Sequence, residues 1–216
     1  MLHLLLMYSL VFAAPLNKSI NPEFPQNVSK ETIRSLIVKT DRTDDIKKLG
    51  PAGYMQLRDI MLSSNEQVEH RWKATLALAQ IGGVDSLPDI EHALKDSSWY
   101  MRSVGLLATS LVDRSRATDV AKKLMSADPA LLVRASALQV LAQEKDVDRN
   151  FLWKELYNPR NFSKGQGLSI RQSILKVLSQ NALKSESQKF IALSREGDGA
   201  IKKLAQSGLD SLKLAK

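Results

Sequence analysis

Apolar side chains recur along most of the chain at the three- and four-residue intervals of an amphipathic helix. From residue 29 onward nearly every segment shows this period. Ser29 is followed by Thr32 and by the apolar residues Ile33, Leu36 and Ile37, which is typical of a helix capped by a serine hydroxyl. The pattern therefore predicts a largely helical chain that begins with a capped helix near residue 30.

The helical part of the chain contains an internal repeat. Five segments align: HRWKATLALAQI (70–81), MRSVGLLATSLV (101–112), VRASALQVLAQE (133–144), IRQSILKVLSQN (170–181) and IKKLAQSGLDSL (201–212). Their second position is basic in every case, and these residues are Arg71, Arg102, Arg134, Arg171 and Lys202, at intervals of 31, 32, 37 and 31 residues. Most segments have a small residue three places further on and a leucine seven places further on, which lets neighbouring helices interlock.

Each repeated segment follows a second amphipathic stretch. These stretches are 51–63, 84–95, 116–126, 148–157 and 186–195. A single helix pair cannot bury its apolar faces, but stacked pairs share one continuous core. The sequence therefore predicts an all-α fold: an α-solenoid of about five antiparallel helix pairs within residues 29–216, with an N-terminal capping helix.

The repeats also resemble a known family. The run LGPAGYMQLRDIMLSSNEQVEHRWKATLALAQIGG is similar to a HEAT repeat of the short bacterial type, which is related to the HEAT-like repeats of phycobilin lyases. LPDIEHALKDSSWYMRSVGLLATSLV and VAKKLMSADPALLVRASALQVLAQ resemble the same unit, so the resemblance covers residues 49–145 well and 146–216 less well. It implies the solenoid fold and leaves the activity open, because one fold serves many functions.

Composition removes several classes of chemistry. The chain has no cysteine, which excludes disulfides, thiolate nucleophiles and zinc or iron–sulfur sites built on cysteine. HEAT-repeat hydroxylases with two irons use several His-Glu pairs, whereas this chain has two pairs in reversed order, Glu69-His70 and Glu91-His92. Because the sequence also lacks nucleophile motifs and phosphate-binding glycine loops, we expect no enzyme activity, no cofactor and no metal.

The first residues predict export. The run MLHLLLMYSLVFAA (1–14) is apolar and uncharged, too short to cross a bilayer, and typical of a secretory signal peptide with cleavage after Ala13. A buried N-terminal helix is the alternative. Residues 14–28 contain three prolines and are expected to form an extended linker. Since cysteine-free secreted chains fit bacteria best, we expect a bacterial periplasmic or secreted protein without a transmembrane anchor once the signal peptide is removed.

The repeat arginines have a structural interpretation. Asp96 and Asp128 lie six positions before the arginines of their own repeats, and Asn65 lies six positions before Arg71. Such side chains can cap the second helix of a pair, and an arginine can bind the acid of a neighbouring repeat. We therefore expect a structural ladder that involves Arg71, Arg102, Asp96, Asp128, Arg134 and Arg171.

Two further features indicate binding surfaces. The net charge is +8, and residues 149–216, with 13 basic and 5 acidic side chains, hold an excess of the same size. The first and fifth positions after each basic repeat residue should face solvent, and they are Trp72 and Leu76, Ser103 and Leu107, Ala135 and Gln139, Gln172 and Lys176, Lys203 and Ser207. The longest interval contains an insertion, 158–168, between the two helices of the fourth pair.

The residues expected to bind a partner are Trp72, Arg160, Phe162, Lys164, Lys176 and Lys203. The alternatives are that Trp72 packs under the first helix, that the insertion is merely tolerated, and that the lysines are only solvated. The leading functional hypothesis is a non-catalytic scaffold that binds a protein, or an anionic component of the cell envelope, on its concave face. The other hypotheses are a nucleic-acid-binding protein similar to HEAT-like DNA glycosylases, which export disfavours, and a lyase-like maturation factor.

Overall fold

A computed structural model describes residues 28–39, 43–196 and 198–214. These residues form twelve α-helices, three short 3₁₀ turns and one two-stranded hairpin. The predicted signal peptide (1–13), and the linker (14–28) except for its last residue, lie outside the described residues. The helices pack as neighbouring pairs, which confirms the predicted all-α solenoid.

Two helices precede the pairs, α1 (Lys30–Val38) and α2 (Thr43–Lys47). The five pairs are α3 (Gly50–Leu62) with α4 (Val68–Gly82), α5 (Leu87–Leu94) with α6 (Trp99–Val112), α7 (Arg114–Ala127) with α8 (Leu131–Ala142), α9 (Arg149–Leu156) with α10 (Ser169–Gln180), and α11 (Ser187–Leu193) with α12 (Gly199–Leu214). The predicted first helix at 84–95 is shorter than expected, because residues Gly83–Ser86 form a 3₁₀ turn before α5.

Helix α1 closes the N-terminal end of the stack. The Ser29 hydroxyl accepts a hydrogen bond from the backbone N–H of Thr32 at 3.1 Å, as expected of a helix N-cap. Ile33 and Ile37 are buried, and α1 packs against α3 and α4. The predicted capping helix is therefore confirmed, whereas α2 has no counterpart among the predicted elements.

The second helices of the pairs form one layer. Helices α4, α6, α8, α10 and α12 pack against each other in that order. The small residues expected between them are buried, and Gly105 shows why size matters there. A Cβ atom on Gly105 would lie 2.8 Å from the backbone nitrogen of Leu94 and 3.0 Å from the carbonyl carbon of Ala93. Helix α6 therefore approaches the end of α5 backbone to backbone.

The insertion in the fourth pair is ordered. Residues Pro159–Asn161 form a 3₁₀ turn, and Phe162–Ser163 (β1) pairs antiparallel with Gln166–Gly167 (β2). The two residues between the strands, Lys164 and Gly165, both have positive φ, 49° and 76°. Positive φ at both central residues is the geometry of a tight hairpin turn that matches the twist of its strands. The segment expected to be a loop is thus a small β-hairpin.

Candidate binding surfaces

A series of arginine contacts links each helix pair to the next. The arginine of one second helix reaches the turn between the two helices of the following pair. The contacts are Arg34 with Glu66, Arg71 with Asp96, Arg102 with Asp128, Arg134 with Asn161, and Arg171 with Glu196. The series begins one helix earlier than the repeat register indicates, because Arg34 lies on α1. The side chain that accepts from Arg34 is Glu66, whereas Asn65, the residue that the register indicates, is exposed.

The contact between Arg102 and Asp128 is the most complete of the series. The guanidinium donates two hydrogen bonds to the carboxylate, at 2.7 and 2.9 Å. The Asp128 side chain is only 3% exposed and also accepts the backbone N–H of Ala130 at 2.8 Å. Burial raises the pKa of this carboxyl, but the Arg102 and Ala130 hydrogen bonds and the charges of Arg102 and Arg134 together hold it below its ordinary value.

The two aspartates do not cap the second helices in the way expected from their spacing. Asp96 accepts the backbone N–H of Ser98, and Asp128 accepts that of Ala130, and both donors belong to the residue before the helix. This side-chain turn orders the chain just before the helix begins. The same turn supplies carbonyl acceptors for the arginine of its own repeat, since Arg102 also donates to the Asp96 and Ser97 carbonyls at 2.9 Å.

Arg134 is buried, and the side chain that it contacts in the following pair is the amide of Asn161 instead of a carboxylate. Its side chain donates to the Asn161 side-chain oxygen at 3.3 Å and to the backbone carbonyls of Asp128 and Arg160 at 2.8 and 2.9 Å. Burial and the charge of Arg160 lower the pKa of Arg134 from its ordinary value, against the opposing charges of Asp128 and Glu155. An amide fits this position because it accepts one hydrogen bond and donates another. The side-chain nitrogen of Asn161 donates to the backbone carbonyl of Glu155 at 2.7 Å.

The hairpin packs its aromatic residue onto the next arginine. The Phe162 ring lies 4.5 Å from the Arg171 guanidinium, and Tyr157 lies on the same guanidinium at 5.9 Å. Phe162 is half-buried, so its ring is used inside the fold. Arg160 and Lys164 are exposed on the same insertion. Of the three residues of the insertion that were expected to bind a partner, the two cations are therefore exposed, and the aromatic ring is half-buried against Arg171.

The C-terminal pairs carry a basic surface from which two of the five carboxylates after residue 149 are withdrawn. Glu155 is buried and accepts hydrogen bonds from Ser126 and Asn158. Glu186 is buried and binds Arg149 and the Trp153 indole N–H. Burial raises the pKa of Glu186, but these two hydrogen bonds and the backbone N–H of Leu183, together with the Arg149 charge, hold it below its ordinary value. These two carboxylates accept hydrogen bonds from partners within the fold and pair with no surface lysine among the described residues.

The cations of this part of the chain remain outside. Nine lysines and arginines after residue 149 are exposed and form no ion pair within the described residues, namely Lys154, Arg160, Lys164, Lys176, Lys184, Lys189, Arg195, Lys202 and Lys203. Lys176 and Lys203 lie on the layer of second helices, whereas Arg160 lies in the 3₁₀ turn and Lys164 in the hairpin turn of the insertion between α9 and α10. The expected basic residues thus occupy two neighbouring regions rather than one cluster.

The N-terminal pairs carry an aromatic cluster instead. Trp72 is half-buried against the N-terminal core cluster and packs edge to face with Tyr100, with ring centroids 6.4 Å apart. Tyr100 packs in the same way on Trp99 at 5.5 Å, and Trp99 is 40% exposed. Counting forward from each basic residue identified Trp72 but missed Trp99 and Tyr100, which precede Arg102 by three and two positions. Ser103, expected at the surface, is buried between the flanking second helices.

No group of three or more His, Cys, Asp or Glu side chains that could hold a metal ion occurs in the described part of the chain. His70 lies beside Glu66, with its Nδ1 atom 3.6 Å from the carboxylate, and His92 is exposed near the end of α5. Among the described helices, none combines the length and apolarity that crossing a membrane requires.

Comparison with known proteins identifies a repeat family in part of the chain. Residues 55–142 match the family model for HEAT repeats, which spans most of α3 through the end of α8. A search of curated proteins found no match. Helices α9–α12 continue the alternation of the matched pairs, and Arg134 and Arg171 continue the arginine contacts into them. Residues 55–142 are therefore HEAT repeats, and they belong to an all-helical solenoid fold.

Proposed function

We propose that this protein is an exported, non-catalytic interaction scaffold whose C-terminal pairs bind the acidic surface of a partner protein. HEAT repeats generally mediate protein interactions, which makes a scaffold the natural class of function. The export part of the proposal rests on the apolar run at residues 1–14.

The observation that carries the proposal is the excess of exposed, unpaired cations over exposed carboxylates after residue 149 in the described part of the chain. Glu155 and Glu186 are buried. Glu196 binds Arg171, Asp198 is half-buried, and the exposed Asp210 pairs with Lys213. Nine cations, by contrast, are exposed and form no ion pair within the described residues. Exposed charges of one sign raise the local concentration of a partner of the opposite sign and speed its association. A single exposed ion pair contributes only about 0–1 kcal/mol, so the effect has to come from several cations together.

The test reverses four of these cations at once. The variant changes Arg160, Lys164, Lys176 and Lys203 to glutamate. A matched control makes the same change in net charge elsewhere, at the exposed residues Lys39, Lys48, Lys123 and Lys145. Each tagged protein is used to capture partners from an envelope extract, and the captured protein is then purified and titrated against each variant at several salt concentrations.

We expect the wild type and the control to bind the same acidic protein, with an affinity that falls as salt rises. The fourfold variant should lose this binding while its far-UV spectrum stays helical. Retention of the partner by the fourfold variant, or equal loss in the control, would overturn the proposal. Stronger binding of duplex DNA than of any captured protein would replace the acidic protein with a nucleic acid as the partner.

A further inference from the structure

The layer of second helices presents one continuous face, whose chemistry changes from one end of the stack to the other. The second-helix face is defined by two equivalent positions in successive second helices, one and five places after the basic residue. The first row reads Trp72, Ser103, Ala135, Gln172 and Lys203, and the second reads Leu76, Leu107, Gln139, Lys176 and Ser207. Ser103 is buried, and the exposed Trp99 lies beside it on the same helix. Neither row contains a carboxylate. We propose that this face binds one extended segment of the partner protein, with an aromatic or aliphatic anchor at one end and acidic side chains at the other.

The anchor end lies on the first three pairs. Trp72, Tyr100 and Trp99 form a chain of edge-to-face contacts, and Leu132, which precedes its arginine by the same two positions as Tyr100, is 42% exposed. Exposed aromatic side chains that are already held by neighbours lose little freedom when a partner covers them. Tryptophan is also among the residues that most often dominate binding energy at interfaces. This end therefore suits an apolar anchor.

The other end of the face is basic, and its charge complements acidic side chains of a bound segment. Lys176 and Lys203 are exposed on the last two second helices and form no ion pair within the described residues. Between the two ends the face is neutral, with half-buried Ala135, Gln139 and Gln172. Attraction therefore acts only on the acidic end of a bound segment, and the apolar end is recognised by burial. The two ends together fix the direction in which the segment lies along the stack.

The separation of the two ends limits the spacing within the segment. Packed helices lie about 8–10 Å apart, so three steps from α6 to α12 cover about 24–30 Å. An extended chain advances about 3.3–3.6 Å per residue, which places roughly seven to nine residues between the anchor and the acidic block. A segment with a much shorter spacer cannot reach from Trp99 to Lys203.

The inference rests on the proposed function, and its test uses synthetic peptides. The probe carries a Trp-Leu anchor, eight Gly/Ser residues and four glutamates, and is made in both chain directions with a fluorescent label. A short probe has two spacer residues. Fluorescence anisotropy measures binding to the wild type, to Trp99→Ala, to Trp99→Phe and to the double variant Lys176→Glu/Lys203→Glu. The control Lys154→Glu/Lys184→Glu makes the same charge change off the second-helix face.

We expect one direction of the long probe to bind about tenfold more tightly than the short probe. Trp99→Ala should weaken the long probe about tenfold without changing its salt dependence, and Trp99→Phe should restore most of the affinity. The Lys176/Lys203 variant should weaken it similarly and remove most of the salt dependence, whereas the Lys154/Lys184 control should leave binding unchanged.

Equal binding of the short and long probes, or equal loss in the control, would overturn the bipartite segment. If no probe binds but the fourfold variant described above still loses the acidic partner, the inference fails while the proposed function stands. If no probe binds and the fourfold variant also keeps the acidic partner, the proposed function fails as well.

Discussion

Asp128→Ala tests whether the contacts between pairs hold the solenoid together. The substitution removes two hydrogen bonds from Arg102 and one from the Ala130 N–H, at 2.7, 2.9 and 2.8 Å. It also leaves the Arg102 guanidinium, whose side chain is 13% exposed, without its carboxylate. Removing one partner of a buried ion pair costs about 3–5 kcal/mol, because the remaining charge is uncompensated.

The expected loss for this contact is somewhat smaller. Arg102 keeps its hydrogen bonds to the Asp96 and Ser97 carbonyls, and its partial exposure admits water. We therefore expect Asp128→Ala to lower the free energy of unfolding by about 2–4 kcal/mol. For a chain of this length that corresponds to a fall of about 4–16 °C in melting temperature. Asp128→Asn keeps an acceptor for the Ala130 N–H, so it should lose only about 1–2 kcal/mol.

The assay is urea unfolding followed by far-UV circular dichroism. Asp119→Ala is the matched control, because Asp119 is exposed on α7 and forms no ion pair within the described residues. The control should stay within about 0.5 kcal/mol of the wild type. A double-mutant cycle with Arg102→Met should give a coupling energy of about 1–3 kcal/mol. Equal stability of Asp128→Ala and the control would refute the structural role of these contacts.

Two further substitutions test close packing and acid sensitivity. Gly105→Ala should lower the free energy of unfolding by about 1–3 kcal/mol in the same urea assay, because its Cβ would lie 2.8 Å from the Leu94 backbone. Gly199→Ala is the control, since a Cβ there has no atom within 4 Å. Equal stability of the two variants would contradict the close approach of α6 to α5. Because Glu186 has a folded pKa below its ordinary 4.5, its stabilising effect is complete above pH 4.5 and is lost as pH falls through the folded pKa. Melting temperatures from pH 7 to 3 should therefore fall less steeply for Glu186→Gln than for the wild type, and parallel curves would speak against this role.

The repeat register predicted most of the fold because a solenoid uses the same contact many times. Five basic residues at near-constant intervals located all five second helices, and the small residue at Gly105 indicated a close approach of helices. Sequence could not predict the short helix α2, because a five-residue helix has too few turns to show a period.

The partners of the arginines were harder to predict than the arginines. Asp96 and Asp128 precede the next arginine by six residues, whereas Asn161 precedes Arg171 by ten because of the hairpin. Glu196 belongs to a turn that precedes a lysine, Lys202, rather than an arginine. The aromatic cluster was only partly found, since Trp99 and Tyr100 lie in the first turn of α6, before the position from which the register was counted.

The buried amide of Asn161 has a consequence for producing this protein. Asn161-Phe-Ser163 matches the acceptor motif for N-linked glycosylation, which a eukaryotic secretory pathway would recognise. In the folded chain the Asn161 side chain is 0% exposed, and the nitrogen that would carry the sugar donates to the Glu155 carbonyl. A glycan can therefore be attached only before the fourth pair folds, and it would then block the contact with Arg134. Ser163 is exposed, so Ser163→Ala removes the motif and keeps the amide in place.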